Sequence, residues 1–179
     1  VRENIGKPLA TALDAYAPEG YEVNPEMISN AYRKWYAEQG RLGLQDEPLF
    51  PGMFELVHDL KNNKEFHIGV ATNKSRIALN NGLKKHNLNN IFDITLTMDE
   101  AKAKPDPDMA IQAMSKLNIE KKSTVIVGDT INDIGLGVNA GINSIGVAWG
   151  YNSIEMLCNQ GADFIVKDSK ELFDTIINL

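Results

Sequence analysis

Four short stretches of the chain are almost unbroken in apolar character: residues 66–72 (FHIGVAT), 123–129 (STVIVGD), 143–149 (NSIGVAW) and 163–167 (DFIVK). Continuous rather than alternating hydrophobicity, rich in β-branched residues, predicts strands covered on both faces. A shorter run, FDITLT at 92–97, predicts a further edge strand. Between these runs the period changes. Met53, Leu56, Val57 and Leu60 recur at helical spacing, as do Ala110, Met114 and Leu117, and again Ile131, Ile134 and Val138. Helices alternating with buried strands require parallel crossovers, so the expected fold is α/β, a doubly wound, Rossmann-like parallel sheet. Ligands of such sheets sit at the C-terminal ends of the strands.

The first part of the chain has another pattern, helical at 8–17 and 25–39 with no convincing strand. Asn24-Pro25 is a good helix start, because proline is tolerated at the first helical position. Ala31, Trp35 and Glu38 then share a side with Tyr32 and Tyr36 alongside, a stripe that reads as the core of a small helix bundle rather than a base-stacking surface. Gly40, Gly43, Pro48 and Pro51 punctuate the exit. The expected division is a helical lobe over 1–46 and an α/β domain over 47–179.

Charge narrows the function. With 18 Lys and Arg against 24 Asp and Glu, the net charge of -6 does not suit neutralising nucleic-acid phosphates. A small-molecule partner is the better expectation. The one cysteine, Cys158, cannot form an internal disulfide, which fits a reducing cytoplasm, and its neighbours Met156 and Leu157 suggest a buried helix position. No apolar run approaches the roughly 20 residues that cross a bilayer, and VRENIGKPLA lacks the apolar core of a signal peptide, so no membrane partner is expected.

Three segments carry candidate chemistry. In VIVGDTINDIGLGVNAG, 125–141, a buried strand delivers Asp129 to its C-terminal end, Gly128 allows a tight backbone approach, and Asp133 follows a turn later. Two carboxylates at a strand mouth suit Mg²⁺, which combines one or two of them with water and phosphate oxygens. Taken alone, the same residues also read as helix capping by Thr130 or Asp129, with Asp133 favouring the helix dipole. In VATNKS, 70–75, Thr72 offers a hydroxyl at another strand end, and the backbone amides leading to a helix start at Ser75 can donate to an oxyanion. In KAKPDPD, 102–108, Lys104 precedes Pro105, which restricts its approach to the sheet; its ammonium could stabilise a phosphate or could simply be solvated. The histidines, His58, His67 and His86, lack metal-ligand spacing: His67 reads as a residue inside a strand, His58 and His86 as surface or capping groups in helices. Trp149, leading into Gly150 and Tyr151, reads as boundary packing near the rim of the site.

The order and spacing of the three segments resemble the haloacid dehalogenase-like superfamily, specifically its phosphatases with a small α-helical cap, such as phosphoglycolate phosphatases and related sugar-phosphate enzymes. The second motif matches Thr72 in ATNKS, the third Lys104 in KPDP, and the fourth Asp129 and Asp133 in GDTINDI; PLFPGMFELVHDLK, 48–61, is similar to the return from cap to core. The resemblance implies that Thr72 binds the transferring phosphoryl group, Asn73 helps to orient or bind it, and Lys104 neutralises charge on it. It also implies that Asp129 ligates Mg²⁺ and that Asp133 supports the metal directly or through water. ENIGKPL, 3–9, resembles a cap loop facing the substrate, which makes Gly6 and Lys7 candidates for leaving-group contact. The implied enzyme is a cytoplasmic, Mg²⁺-dependent phosphatase, monomer or homodimer, acting on a small phosphorylated metabolite. Phosphoglycolate is the leading guess, from Lys7 and the small cap, with a sugar phosphate close behind.

The family's first motif, Asp-x-Asp-x-Thr at the end of a first strand, is absent from this sequence. Its first aspartate is the nucleophile and its second the general acid and base. The resemblance implies that its strand lies mid-sheet, between those ending at Thr72 and Asp129, so the expected sheet lacks its central strand and the expected chain is a truncated form that does not turn over by the covalent route. The alternatives are a non-catalytic phosphate-binding or regulatory module and, less in keeping with GDT at 128–130 and TNK at 72–74, a 2-haloacid dehalogenase.

Overall fold

The computed structural model describes residues 24–41 and 47–179. Its elements run α1 (Pro25–Arg41), α2 (Met53–Asn62), β1 (Gly69–Thr72), α3 (Arg76–Lys85), β2 (Ile94–Thr97), α4 (Asp108–Leu117), a 3-10 turn (Lys121–Ser123), β3 (Val125–Gly128), α5 (Ile131–Ala140), β4 (Asn143–Val147), α6 (Ile154–Gln160), β5 (Phe164–Val166) and α7 (Ser169–Ile177). Each apolar run forms a strand, and each helical repeat within the described residues a helix. The Asn24-Pro25 start behaves as its chemistry requires, with Asn24 Oδ1 accepting the Glu26 and Met27 N–H groups.

Every pairing is parallel. β1 runs beside β2 in the register Gly69↔Ile94 to Thr72↔Thr97. β3 pairs with β4, and β4 with β5. Among the described residues β1 and β3 do not pair, so the strands form two sheets, β1-β2 and β3-β4-β5. The separation falls between the strands ending at Thr72 and before Asp129, where the sequence leads one to expect a further strand.

Both sheet faces are covered. On one, Leu96 of β2 packs with Met109, Ala110 and Met114 of α4 and Leu136 and Ala140 of α5, joined by Ala71 and Ile126. On the other, Leu56 and Leu60 of α2 meet Ile145 and Val147 of β4, Val166 of β5 and Leu172 of α7, joined by Val125 and Val127. Adjacent β3 residues thus face opposite layers, as the period of two demands. The fold is the expected α/β one with parallel strands, so within each sheet the strands deliver their C-terminal ends to the same side.

Four details differ from expectation. Val138 is 49% exposed because α5 buries Ile134, Leu136, Gly137 and Ala140 instead. Cys158 is exposed: α6 is only seven residues long and buries Leu157, which turns the next position outward. His67 lies before β1 rather than in it, with Nδ1 3.6 Å from an Asp93 carboxylate oxygen. Trp35, expected in a bundle core, is 56% exposed, its ring tilted against that of Tyr32 on the same helix with centroids 5.7 Å apart. The partner helix expected over 8–17, Gly6, Lys7, Gly43 and the lobe boundary at 46 lie outside the described residues. Among the described residues no helix is long and apolar enough to cross a membrane.

A fork of Arg76 ties the start of α3 to the end of β2: Nε and Nη2 donate to the two Glu100 oxygens at 2.9 and 2.7 Å, and Nη1 to Thr95 Oγ1 at 2.7 Å. Glu100 also accepts from Thr97 N and Oγ1. The Arg76 fork, with help from Thr97, holds the Glu100 carboxyl down to about 2 from its ordinary 4.5, against the opposing effect of burial. A depressed carboxyl stabilises the fold above its unfolded pKa and ceases to as pH falls through the folded one. Urea midpoints should therefore drop between about pH 4.5 and 2, and Glu100→Gln should flatten that part of the profile. Leu136→Ala, at a site with no exposure, should cost about 2–5 kcal/mol in the same assay.

Candidate active site

The strand-end segments meet above the sheet. β3 ends at Gly128, and Asp129 follows immediately, its carboxyl Oδ2 accepting the Tyr151 N–H at 3.0 Å. The approach is close on two sides: a Cβ at Gly128 would collide with the Asp133 side chain, and one at Gly150 with the Asp129 side chain. Glycine at these two positions is what lets the carboxylates sit against the backbone. Asn152, buried, fastens the same corner by donating its N–H to Asp129 O at 3.1 Å and accepting the Ile131 N–H on Oδ1 at 2.8 Å.

Asp133 has both carboxylate oxygens engaged. Oδ2 accepts from Thr130 N at 3.0 Å and from Thr130 Oγ1 at 2.6 Å, and the Thr130 hydroxyl in turn accepts the Asp133 N–H, a capping box that starts α5. Oδ1 accepts from Lys104 Nζ at 2.6 Å, with both side chains nearly buried, 11% and 9% exposed. The Lys104 ammonium also donates to Ala71 O in β1, at 2.8 Å. One cation thus joins the end of β1, the loop before α4 and the start of α5. The capping reading of GDTINDI holds, and Asp133, expected to support a metal directly or through water, has its oxygens engaged by Lys104 and Thr130.

Asn73 holds that loop in register. Its Oδ1 accepts the Lys104 N–H at 2.8 Å and its Nδ2 donates to Lys104 O at 3.1 Å, so the side-chain amide pairs with the lysine's main chain. Its bonds therefore serve to position Lys104. Thr72 ends β1 and its Oγ1 accepts the Lys74 N–H at 3.2 Å, while Ser75 caps α3 by accepting from Ala78 N at 3.3 Å, the expected helix start. Thr72, Asn73, Lys104, Asp129 and Asp133 are brought to one place; of the sites expected, only Gly6 and Lys7 lie outside the described residues.

The donor set suits Mg²⁺ on its chemistry. Burial, and secondarily the neighbouring Asp133, pushes the Asp129 carboxyl above its ordinary range, against the Tyr151 N–H and Lys104. Among the described residues there is no cluster of three or more His, Cys, Asp or Glu, and Mg²⁺ is the ion that one or two carboxylates can hold with water or phosphate oxygens. Asn132, next to Asp133 and 8% exposed, has an Nδ2 with no hydrogen-bond partner among the described residues, an unspent donor at the same helix start.

Sequence reasoning missed Asn152, the Tyr151 N–H and the clasp by Asn73. The Gly-Tyr-Asn run after a buried strand was a signal for the first two, since loops at C-terminal strand ends build sites in such sheets. Trp149 does pack against the core beside it, as expected.

Comparisons place this geometry in a family. The model of the haloacid dehalogenase-like hydrolase family matches residues 1–147. Pyrophosphatase PpaX of Anoxybacillus flavithermus is 31% identical over 174 residues, 96% of this chain and 77% of that protein. The crystal structure of a predicted phosphatase from Clostridium acetobutylicum aligns with a TM-score of 0.81 at 29% identity, covering 97% of this chain and 79% of that one. That of a candidate phosphoglycolate phosphatase from Lactobacillus delbrueckii subsp. bulgaricus aligns at 0.75 and 26%, covering 89% of this chain and 65% of that one. The chain belongs to the haloacid dehalogenase-like hydrolase family, and by family it is a phosphoric monoester hydrolase.

The buried pair makes a thermodynamic forecast. Asp133→Ala strips the Lys104 ammonium of its carboxylate and should destabilise the fold by about 3–5 kcal/mol. Thr130→Ala leaves the ion pair in place and removes the cap with one hydrogen bond to Asp133, and should cost less, about 1–2 kcal/mol. Equal urea-unfolding losses for the two would mean that the ion pair contributes nothing beyond capping.

Proposed function

We propose that this chain carries the phosphate-handling site of a Mg²⁺-dependent phosphatase for a small phosphorylated metabolite, with Thr72 and Lys104 holding the phosphoryl group and Asp129 the metal. The observation that carries the reading is the Lys104 ammonium, fastened between Ala71 O and Asp133 so that it faces the strand ends. When bound, Mg²⁺ would supply Lewis-acid charge for the phosphoryl oxygens, with Asp129 as its carboxylate ligand. Thr72 donates a hydroxyl hydrogen bond to the phosphoryl group, and Lys104 neutralises its charge as a preorganised cation. Asp133 and Asn73 keep that cation in place by holding its side chain and main chain respectively.

Residues 47–179 would form the catalytic domain and 1–46 a helical cap, with Gly6 and Lys7 of the cap contacting the leaving group. Phosphoglycolate remains the leading substrate and a sugar phosphate the next; the name of the PpaX relative adds pyrophosphate to the compounds to be screened. The metabolite setting is cytoplasmic, with the protein a monomer or homodimer and no nucleic-acid or membrane partner. Because the Asp-x-Asp-x-Thr nucleophile motif is not in this sequence, the chain should bind phosphate with Mg²⁺ and not turn esters over by the covalent route.

Titration calorimetry with inorganic phosphate and Mg²⁺ tests the reading. Thr72→Ala and Lys104→Met should each weaken binding about tenfold or more, the loss of a hydrogen bond to a charged group, with circular dichroism checking that the variants fold. Wild-type affinity in both variants would overturn the assignment, and sustained ester hydrolysis by the chain would overturn its expected inactivity.

A further inference from the structure

Away from the pair at the strand ends, Glu47 stands at the junction of three segments. Its Oε1 accepts from Tyr36 Oη of α1 at 2.7 Å, and its Oε2 from Lys74 Nζ, in the loop after β1, at 2.5 Å. His86, which ends α3, donates Nε2–H to the Glu47 carbonyl at 2.7 Å. Glu47 is thus anchored to the α/β domain through its main chain, while its carboxylate is divided between the helix and the loop.

Lys74 is the point of contact with the site. Its N–H rests on the Thr72 hydroxyl, and its ammonium reaches the carboxylate that holds α1. The side chains of Lys74 and Glu47 are 47% and 39% exposed, so a dissolved anion can reach the ammonium without the fold opening. Burial and the bond to Glu47 raise the Tyr36 phenol, and although burial opposes it, Lys74 and Tyr36 hold the Glu47 carboxyl low, so the acceptor is charged and the phenol a donor near neutral pH.

We propose that Glu47 is a latch tying helix α1 to the loop that follows Thr72, and that an anion bound in that loop loosens the helix by drawing Lys74 away from Glu47. The latch stands on the contacts above; only the release step rests on the phosphate-binding reading of Thr72. With Lys74 withdrawn, the carboxylate keeps its Tyr36 bond but no longer joins it to the loop, so α1 loses its side-chain tie to the segment after Thr72.

Hydrogen exchange of the 179-residue chain, read over the amides of α1, tests both parts. Glu47→Gln removes the charge that holds Lys74, and Tyr36→Phe removes only the helix side. Each should speed exchange in α1 several-fold and leave β3, β4 and β5 unchanged; wild-type exchange in both variants would overturn the latch. Inorganic phosphate with Mg²⁺, at concentrations where calorimetry reports occupancy, should speed α1 exchange in the wild type, whereas Lys74→Met should start fast and not respond. Bound phosphate without a change in wild-type exchange would overturn the release step. If calorimetry reports no binding, the phosphatase reading of Thr72 and Lys104 fails and the release step with it, while the two Glu47 and Tyr36 variants still decide the latch.

Discussion

Burying an ammonium beside a carboxylate is unfavourable unless both groups find their remaining partners, and the centre of this protein is organised around meeting that condition. Lys104 gains Ala71 O as well as Asp133, and Asp133 gains both donors of Thr130. These partners come from β1, from the loop ahead of α4 and from the start of α5. Satisfying the pair therefore fixes where three separated stretches of chain meet. Structure and chemistry are inseparable at this point: the bonds that make the burial tolerable are the ones that aim a cation at the strand ends.

The second carboxylate lives under different rules. Asp129 is held by main-chain groups, the Tyr151 N–H and the Asn152 N–H at its own carbonyl, and burial outweighs the pull of Lys104 on its carboxyl. Two acidic residues four apart in sequence thus have opposite environments, one saturated and one under-compensated. Separation of that kind lets one acid serve as scaffold while the other stays open to a ligand, the division the proposed function uses.

Much of this was legible before any coordinates. Continuous apolar runs marked every strand, because a strand with helices on both sides has no polar face to show. Thr72, Lys104, Asp129 and Asp133 could be picked out because strand ends and helix starts place hydroxyls, cations and carboxylates where ligands bind. What escaped was mostly the direction a side chain takes. Cys158 and Val138 share helices with buried neighbours, and apolar spacing does not say which side of a short or nearly engulfed helix meets solvent. Trp35 misled for a related reason, since an aromatic stripe states a need for a partner without naming one. Asn73 and Asn152 were silent because an amide's role depends on two backbone groups that only the folded chain brings into reach.

The Asn73 amide presents one acceptor and one donor to Lys104 at the spacing of a peptide group, so a side chain here imitates a rung of backbone pairing. The loops bearing Thr72 and Lys104 are consequently one module, though 31 residues separate their joined members. Neither could be transplanted into another sheet without the other, and a replacement at position 73 would keep the pairing only if its side chain gave and took a hydrogen bond at once.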